Sequence, residues 1–205
     1  DRVVIIDEKG KVLSGEELIY ILAKYYLSEN KIKKGSIVVT NEIANYGLDI
    51  SLKKLGLKLK RVKVGDKNIL KQIVDHKYFF GGEPSGHFIF KDDILIGDGM
   101  TTAIRLLTLI LKKNKKLSEL RKGIDLFEVI NINQRIDREK FYLSQESIYQ
   151  SLNKLCKNLD IYYNIRPSGT EPLLRVNLQY EKRNIKVSIL NKLKTQIIKV
   201  ISDAC

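Results

Sequence analysis

From Val3 to about Leu111 the sequence alternates between two hydrophobic periods, and this alternation constrains the fold more tightly than any other feature. Val3 to Ile6 form a short apolar run that stops at the turn signal Asp7-Glu8-Lys9-Gly10-Lys11, the pattern of a strand. Ser14-Gly15-Glu16-Glu17 then makes a capping box, in which the serine caps a first helical turn and the glutamate three residues on reaches back. Leu18, Ile21, Leu22 and Tyr25 follow at the i, i+3, i+4, i+7 spacing of an amphipathic helix. The unit repeats: Ile37-Val38-Val39 reads as a buried strand, 48–55 as a helix, 57–64 as a lysine-decorated strand and 68–74 as another helix. Such alternation predicts an α/β domain with a mixed, largely parallel sheet flanked by helices.

Phe79-Phe80 and Phe88-Ile89-Phe90 flank the glycine-rich segment Gly81–His87, and Asp98 is placed to cap a helix from Met100 to about Leu111. After a short helix over 118–122 the grammar changes, so a domain boundary is expected around Gly123–Phe127, dividing the chain into 1–123 and 124–205. The second part reads as a strand near 128–132, a helix from about Ser144 to Asn158, two strands flanking Arg166–Pro172, and a long closing helix. Leu174, Val176, Leu178 and Tyr180 alternate with Arg175, Asn177 and Gln179, the period of a half-buried strand. Ile185, Ile189, Leu193, Ile197 and Ile201 recur every four residues and mark the inner face of the last helix. Helices on one face of a small sheet make this a small α+β domain.

Composition removes several function classes. A hydrophobic fraction of 43% over 205 residues supports real cores, while no apolar run reaches the roughly 20 residues of a membrane-spanning helix and no signal peptide opens the chain. A soluble protein with no membrane partner is expected. The net charge of +13 suggests polyanions at first sight. Yet lysines such as Lys53-Lys54 and Lys112-Lys113-Asn114-Lys115-Lys116 are scattered and not interleaved with aromatics, so they read as solvated faces and no nucleic-acid partner is expected. Cys156 and Cys205 form neither a metal pattern nor a disulfide framework, consistent with a reducing, cytoplasmic setting, and Cys156 reads as a buried inert thiol. With Asp1 first and Met100 the only methionine, the sequence is expected to begin inside a longer polypeptide.

Two segments carry chemistry. In Arg166-Pro167-Ser168-Gly169-Thr170-Glu171-Pro172, glycine allows a tight turn and close approach to main-chain N–H groups, Ser168 and Thr170 add hydroxyl donors, and Arg166 can hold two phosphate oxygens. The same residues would also suit an ordinary hairpin turn. In Gly81-Gly82-Glu83-Pro84-Ser85-Gly86-His87, a tight path presents an acceptor, a hydroxyl and a titratable ring, which suits a ligand rich in hydroxyls or a plain strand connection. Gly97-Asp98-Gly99 reads as a helix cap.

Taken together, the two loops in this order resemble the α-D-phosphohexomutase superfamily and, within it, the bacterial phosphoglucosamine mutase branch. The likeness extends to the GDG that follows the first loop, to Leu174-Arg175-Val176 after the second, and to Asp1-Arg2, which resembles the end of the family's metal loop. The resemblance covers essentially the whole chain as domains three and four of a four-domain enzyme, the fourth being a TATA-box-binding-like α+β domain. Val64-Gly65-Asp66-Lys67 is similar to a family Val-Gly-Asp-Arg segment, with Lys67 lacking the arginine's bidentate fork. Ala44 stands where the family segment ending in Asn-x-Gly usually has serine, and Ile94-Leu95-Ile96 departs from a threonine-rich stretch.

The resemblance implies transfer of a phosphoryl group between two positions of a hexosamine phosphate through a phosphoserine and a bisphosphorylated intermediate, assisted by Mg2+. It implies that Asp1 is a metal ligand, Arg2 a catalytic neighbour, Glu83 and Ser85 the readers of sugar hydroxyls, and His87 their support. Lys67, Arg166, Ser168, Gly169, Thr170 and Arg175 would bind substrate, with Arg166, Ser168, Gly169 and Thr170 gripping the phosphate that is not being transferred. It further implies that the reacting serine lies in upstream domains of the same polypeptide, that residues 1–205 alone turn nothing over, and that a hinge lies near the domain boundary; a homodimer is left open. The competing readings are a phosphomannomutase or phosphoglucomutase of the same superfamily and a phosphosugar-binding module without catalysis.

Overall fold

The computed structural model describes residues 1–93, 95–182 and 185–205, so Ile94, the first residue of the departure at 94–96, lies outside the described residues. The chain divides into two compact units, Asp1–Leu126 and Phe127–Cys205.

The first unit holds β1 (Ile5–Ile6), β2 (Val12–Leu13), α1 (Gly15–Ser28), β3 (Ile37–Asn41), α2 (Tyr46–Lys54), β4 (Lys58–Val62), α3 (Asp66–His76), β5 (Phe80–Gly82), β6 (Phe88–Phe90), α4 (Gly99–Lys113) and α5 (Leu117–Leu120). Four strands form one sheet in the order β4-β3-β5-β6. β3 runs parallel to both β4 and β5, and β6 closes the edge antiparallel to β5, so the sheet is mixed and largely parallel as the alternation predicts. Successive residues of β3 face opposite sides: Val38 joins a core with Leu18, Leu22, Leu48, Phe80 and Leu106, while Val39 packs with Ile69, Ile73 and Ile89. A strand buried on both faces must be apolar throughout, which is why Ile37-Val38-Val39 shows no alternation.

The capping box forms as the sequence requires, with Ser14 Oγ accepting from the Glu17 N–H (3.2 Å) and Glu17 Oε2 accepting from the Ser14 N–H (2.9 Å). Asp98 likewise caps α4, accepting from the Met100 and Thr101 N–H groups at 3.1 and 3.0 Å. The early apolar run behaves differently: β1 pairs antiparallel with β2 as a separate two-stranded hairpin rather than entering the main sheet. The turn signal at Asp7–Lys11 is therefore a hairpin turn, closed by Asp7 N–H donating to Lys11 O at 2.9 Å. The unit ends against α2, where the Asp125 N–H donates to Ser51 Oγ (3.2 Å) and Gly47 lies flush with the Asp125 carbonyl.

The second unit comprises β7 (Glu128–Arg135), α6 (Arg138–Lys157), β8 (Tyr162–Pro167), β9 (Leu173–Tyr180) and α7 (Val187–Ala204). Its sheet is antiparallel in the order β7-β9-β8. Leu174, Val176 and Leu178 of the central strand pack with Ile148 and Leu152 of α6 and with Leu193, Ile197 and Ile201 of α7. No described helix is long and apolar enough to cross a membrane.

Two helices depart from their sequence pattern. α6 begins at Arg138 rather than about Ser144, because Asp137 caps it, accepting from the Glu139 and Lys140 N–H groups at 2.9 and 3.2 Å. On α7 a strict four-residue repeat outruns the 3.6-residue helical period, so the stripe drifts off the core. Ile189 is 39% exposed, and Leu190 takes the buried place ahead of Leu193, Ile197 and Ile201. Leu190→Ala should therefore cost about 2–5 kcal/mol of stability and Ile189→Ala about 1 kcal/mol or less, read from urea unfolding of the two variants.

Candidate functional site

Because β3, β4 and β5 run parallel, their carboxyl ends at Asn41, Val62 and Gly82 emerge along one edge of the sheet, the usual place for a ligand on an α/β sheet. Glu83 sits at that edge and is buried. Its Oε1 accepts from Asn41 Nδ2 at 3.2 Å and from the Gly65 N–H at 3.1 Å, and its Oε2 accepts from Ser85 Oγ at 3.0 Å. One carboxylate thus ties the loops that follow all three strands. His87 Nδ1 lies 3.5 Å from Glu83 Oε2, and His87 Nε2 lies 2.8 Å from Asp1 Oδ2. The structure therefore brings Asp1, Glu83, Ser85 and His87 into one polar chain.

Two glycines make that possible. Gly86 has φ +94°, and a Cβ there would fall 2.4 Å from the Val3 carbonyl oxygen, whose residue also donates its N–H to Gly86 O at 3.0 Å. A Cβ on Gly99 would fall 2.5 Å from the Arg2 carbonyl oxygen. Asp1, Arg2 and Val3 are thereby seated against the Gly86 turn and the start of α4. Arg2 and Lys67 are exposed, Lys67 in the first turn of α3 with its N–H donating to Asp66 Oδ1 at 2.8 Å.

Sequence reasoning missed the supports of this edge. Asn41 and Gly65 hold the Glu83 carboxylate, while Glu16 Oε1 accepts from the Asn45 N–H at 3.0 Å. Arg61 of β4 donates to the carbonyls of Ala44 (2.7 Å) and Asn45 (3.4 Å). None repeats at a fixed spacing, so periodicity could not reveal them.

In the second unit, residues 168–172 connect β8 to β9, as the sequence pattern requires. Arg166 of β8 lies directly opposite Arg175 of β9 in the ladder, a like-charge pairing that is destabilising in itself. Arg175 Nη2 donates to Ser168 Oγ (3.3 Å) and Glu171 Oε2 (3.0 Å), but its Nε is buried without a partner. Among the described residues Arg166 has no ion-pair partner. Ser168 is buried, with its N–H donating to Leu173 O at 2.8 Å; Gly169 and Thr170 form the exposed tip. The expectation that glycine is needed there for the turn itself is corrected: Gly169 is not among the residues of positive φ, and a Cβ on it would meet nothing within 4 Å. Its contribution is open space above the main chain. Arg138, which the sequence did not single out, donates from Nη2 to the carbonyls of Ser168, Gly169 and Glu171 at 2.8, 3.3 and 3.0 Å.

Neither cysteine adds to either group. Cys156 is buried, and burial pushes its thiol up to about 11, leaving it protonated and inert at neutral pH. For a metal, Asp1 offers one exposed carboxylate, and no cluster of three His, Cys, Asp or Glu side chains able to hold an ion occurs among the described residues. A hard cation such as Mg2+ requires several oxygens, so the described residues do not make its site on their own.

Comparison with known proteins identifies relatives of the chain. Residues 14–127 match the family model described as phosphoglucomutase/phosphomannomutase, alpha/beta/alpha domain III. The chain is similar to the phosphoglucosamine mutases of Ruminiclostridium cellulolyticum (36% identity, 90% of this chain, 42% of that protein) and Caldanaerobacter subterraneus subsp. tengcongensis (39%, 88% and 41%). It therefore spans a little under half the length of the curated relatives it matches. Its fold is similar to that of an Aspergillus fumigatus N-acetylphosphoglucosamine mutase solved with GlcNAc-6P and magnesium, at TM-score 0.75 and 15% identity over 97% of this chain and 49% of that one. With the domain match covering more than half its residues, the chain belongs to the phosphoglucomutase/phosphomannomutase family.

Proposed function

We propose that the chain serves a phosphoglucosamine mutase, interconverting glucosamine 6-phosphate and glucosamine 1-phosphate through a phosphoserine and a bisphosphorylated intermediate, in the supply of amino-sugar and cell-wall precursors. The observation that carries this reading is the Arg166–Arg175 pair: two guanidiniums opposed across a ladder beside a loop with unpaired N–H groups call for an anion. In this reading Arg166, Arg175, Ser168, Gly169 and Thr170 hold the phosphate that stays on the sugar, and that remote grip contributes binding energy to orientation at the reacting end. The identity with curated phosphoglucosamine mutases favours glucosamine over glucose or mannose.

The sugar would be read in the first unit. Ser85 is exposed and donates its hydroxyl proton to Glu83, which leaves its lone pairs to accept from a sugar hydroxyl. Glu83, buried and already accepting three hydrogen bonds, then acts chiefly by fixing Ser85 and the strand-end loops. His87 supports the same group, Arg2 and Lys67 lie exposed for substrate contact, and Asp1 would give one oxygen to Mg2+, the other ligands coming from outside the described residues. Bound Mg2+ would stabilise charge on the transferring group.

The decisive assay compares glucosamine, glucose and mannose phosphates as substrates of the full-length protein. Glucosamine phosphate should show the highest kcat/KM, and better turnover of either neutral sugar would replace the reading with the broader phosphohexomutase one. Arg166→Met should lower kcat/KM roughly 10- to 100-fold, mainly by raising KM, because it removes charge-assisted phosphate contacts and no reacting group. Glu83→Ala should destabilise the protein by about 1–3 kcal/mol in chemical denaturation, since the Asn41 amide and the Gly65 N–H lose their acceptor.

A further inference from the structure

The first turn of α6 carries Arg138 and Lys140 on either side of Glu139, behind the Asp137 cap, so the acidic side chains favoured at a helix N-terminus are present and Arg138 is not needed there. Its side chain turns to the β8–β9 loop. Its Nη2 donates to three carbonyls of the β8–β9 loop, those of Ser168 (2.8 Å), Gly169 (3.3 Å) and Glu171 (3.0 Å). Three carbonyls on a five-residue connection would otherwise present partial negative charge to any approaching anion. Gathered on one guanidinium, they are occupied and partly neutralised. The main-chain donors of the loop divide the other way: the Ser168 N–H is spent on Leu173 O, the Glu171 N–H on Ser168 Oγ at 3.4 Å, and the N–H groups of Gly169 and Thr170 have no partner among the described residues.

We infer that Arg138 is a positioning residue that presets the Ser168–Glu171 loop as a cradle for a phosphate monoester, by binding the loop's carbonyls and so keeping the Gly169 and Thr170 N–H groups available. The inference rests on the reading of this loop as the phosphate site. It requires the reach of the arginine side chain and not merely its charge. All three contacts are made by Nη2 alone, whose two hydrogens they share, so what a lysine lacks is reach: its ammonium ends about one bond short of Nη2 from the same backbone position.

The test is a titration of the 205-residue chain with inorganic phosphate, followed through the Gly169 and Thr170 amide resonances, for the unaltered chain and for Arg138→Met, Arg138→Lys, Arg166→Met and Arg175→Met. Thermal unfolding is recorded for each. The expected result is that Arg138→Met weakens phosphate binding at least tenfold, that Arg138→Lys does not restore it, and that both variants still unfold cooperatively. Where Arg138→Met does not fold, Arg138→Lys alone decides, by the same loss of affinity in a folded chain. Unchanged affinity in a folded Arg138 variant, alongside loss in Arg166→Met and Arg175→Met, overturns the inference and leaves the phosphate-site reading standing. A chain whose loop amides do not respond to phosphate at all overturns both.

Discussion

A buried carboxylate must have its lone pairs filled by donors, and in the first unit that requirement organises the sheet edge around Glu83. Glu83 meets it with the Asn41 side chain at the end of β3, the Gly65 N–H after β4 and the Ser85 hydroxyl after β5. One donor ends β3 and the other two lie in the loops after β4 and β5, so satisfying one charge fixes three segments against one another. The conformations of Ser85 and His87, and through His87 the side chain of Asp1, follow from that arrangement. The hydrogen bonds that hold this edge lie within the protein itself, and groups already fixed in this way lower the ordering cost of binding a polar ligand.

The second unit meets the opposite problem. Its polar loop carries an excess of donors, with Arg166 facing Arg175 across the ladder and Arg175 Nε buried without an acceptor. Glu171 and Ser168 engage one face of Arg175 only. Such an arrangement is poor for stability and is retained by a fold whose cost is covered elsewhere, here by a core in which Leu174, Val176 and Leu178 pack against two long helices. Local violations of sequence logic are therefore informative. The like-charge pair breaks a local rule, and it flanks the connection that Arg138 also reaches.

Much of the fold could be read in the residues because it rests on local chemistry. The capping box at Ser14, the Asp98 cap, the unbroken apolar run of β3 and the alternation along β9 each encode their element within a few neighbours. What escaped depended on partners remote in sequence or on a small mismatch of period. β1 takes its place from Val12 and Leu13 rather than from the main sheet, and α7 buries Leu190 because a four-residue repeat drifts on a 3.6-residue helix. The family resemblance agrees with the domain match over 14–127, which spans the Gly81–His87 loop. The loop supports were not legible, since Asn41, Arg61 and Arg138 look unremarkable until the chain folds.

Those supports also account for how the positive charge is distributed. Arg61 and Arg138, on a strand and a helix, each reach carbonyls of a loop far away in sequence. Arg105 stacks 4.3 Å from the Phe90 ring while donating to Tyr26, Asp92 and Asp93, and Arg121 donates to Glu17 at 3.2 Å. Lysines such as Lys53, Lys54, Lys58, Lys112, Lys115 and Lys116 remain exposed. A planar, weakly hydrated guanidinium can be drawn against backbone or ring at modest desolvation cost, whereas a compact ammonium holds its water. The two cations thus divide the work: arginine shapes loops, and lysine supplies a solvated surface. A net charge of +13 built in this way does not require a polyanion partner.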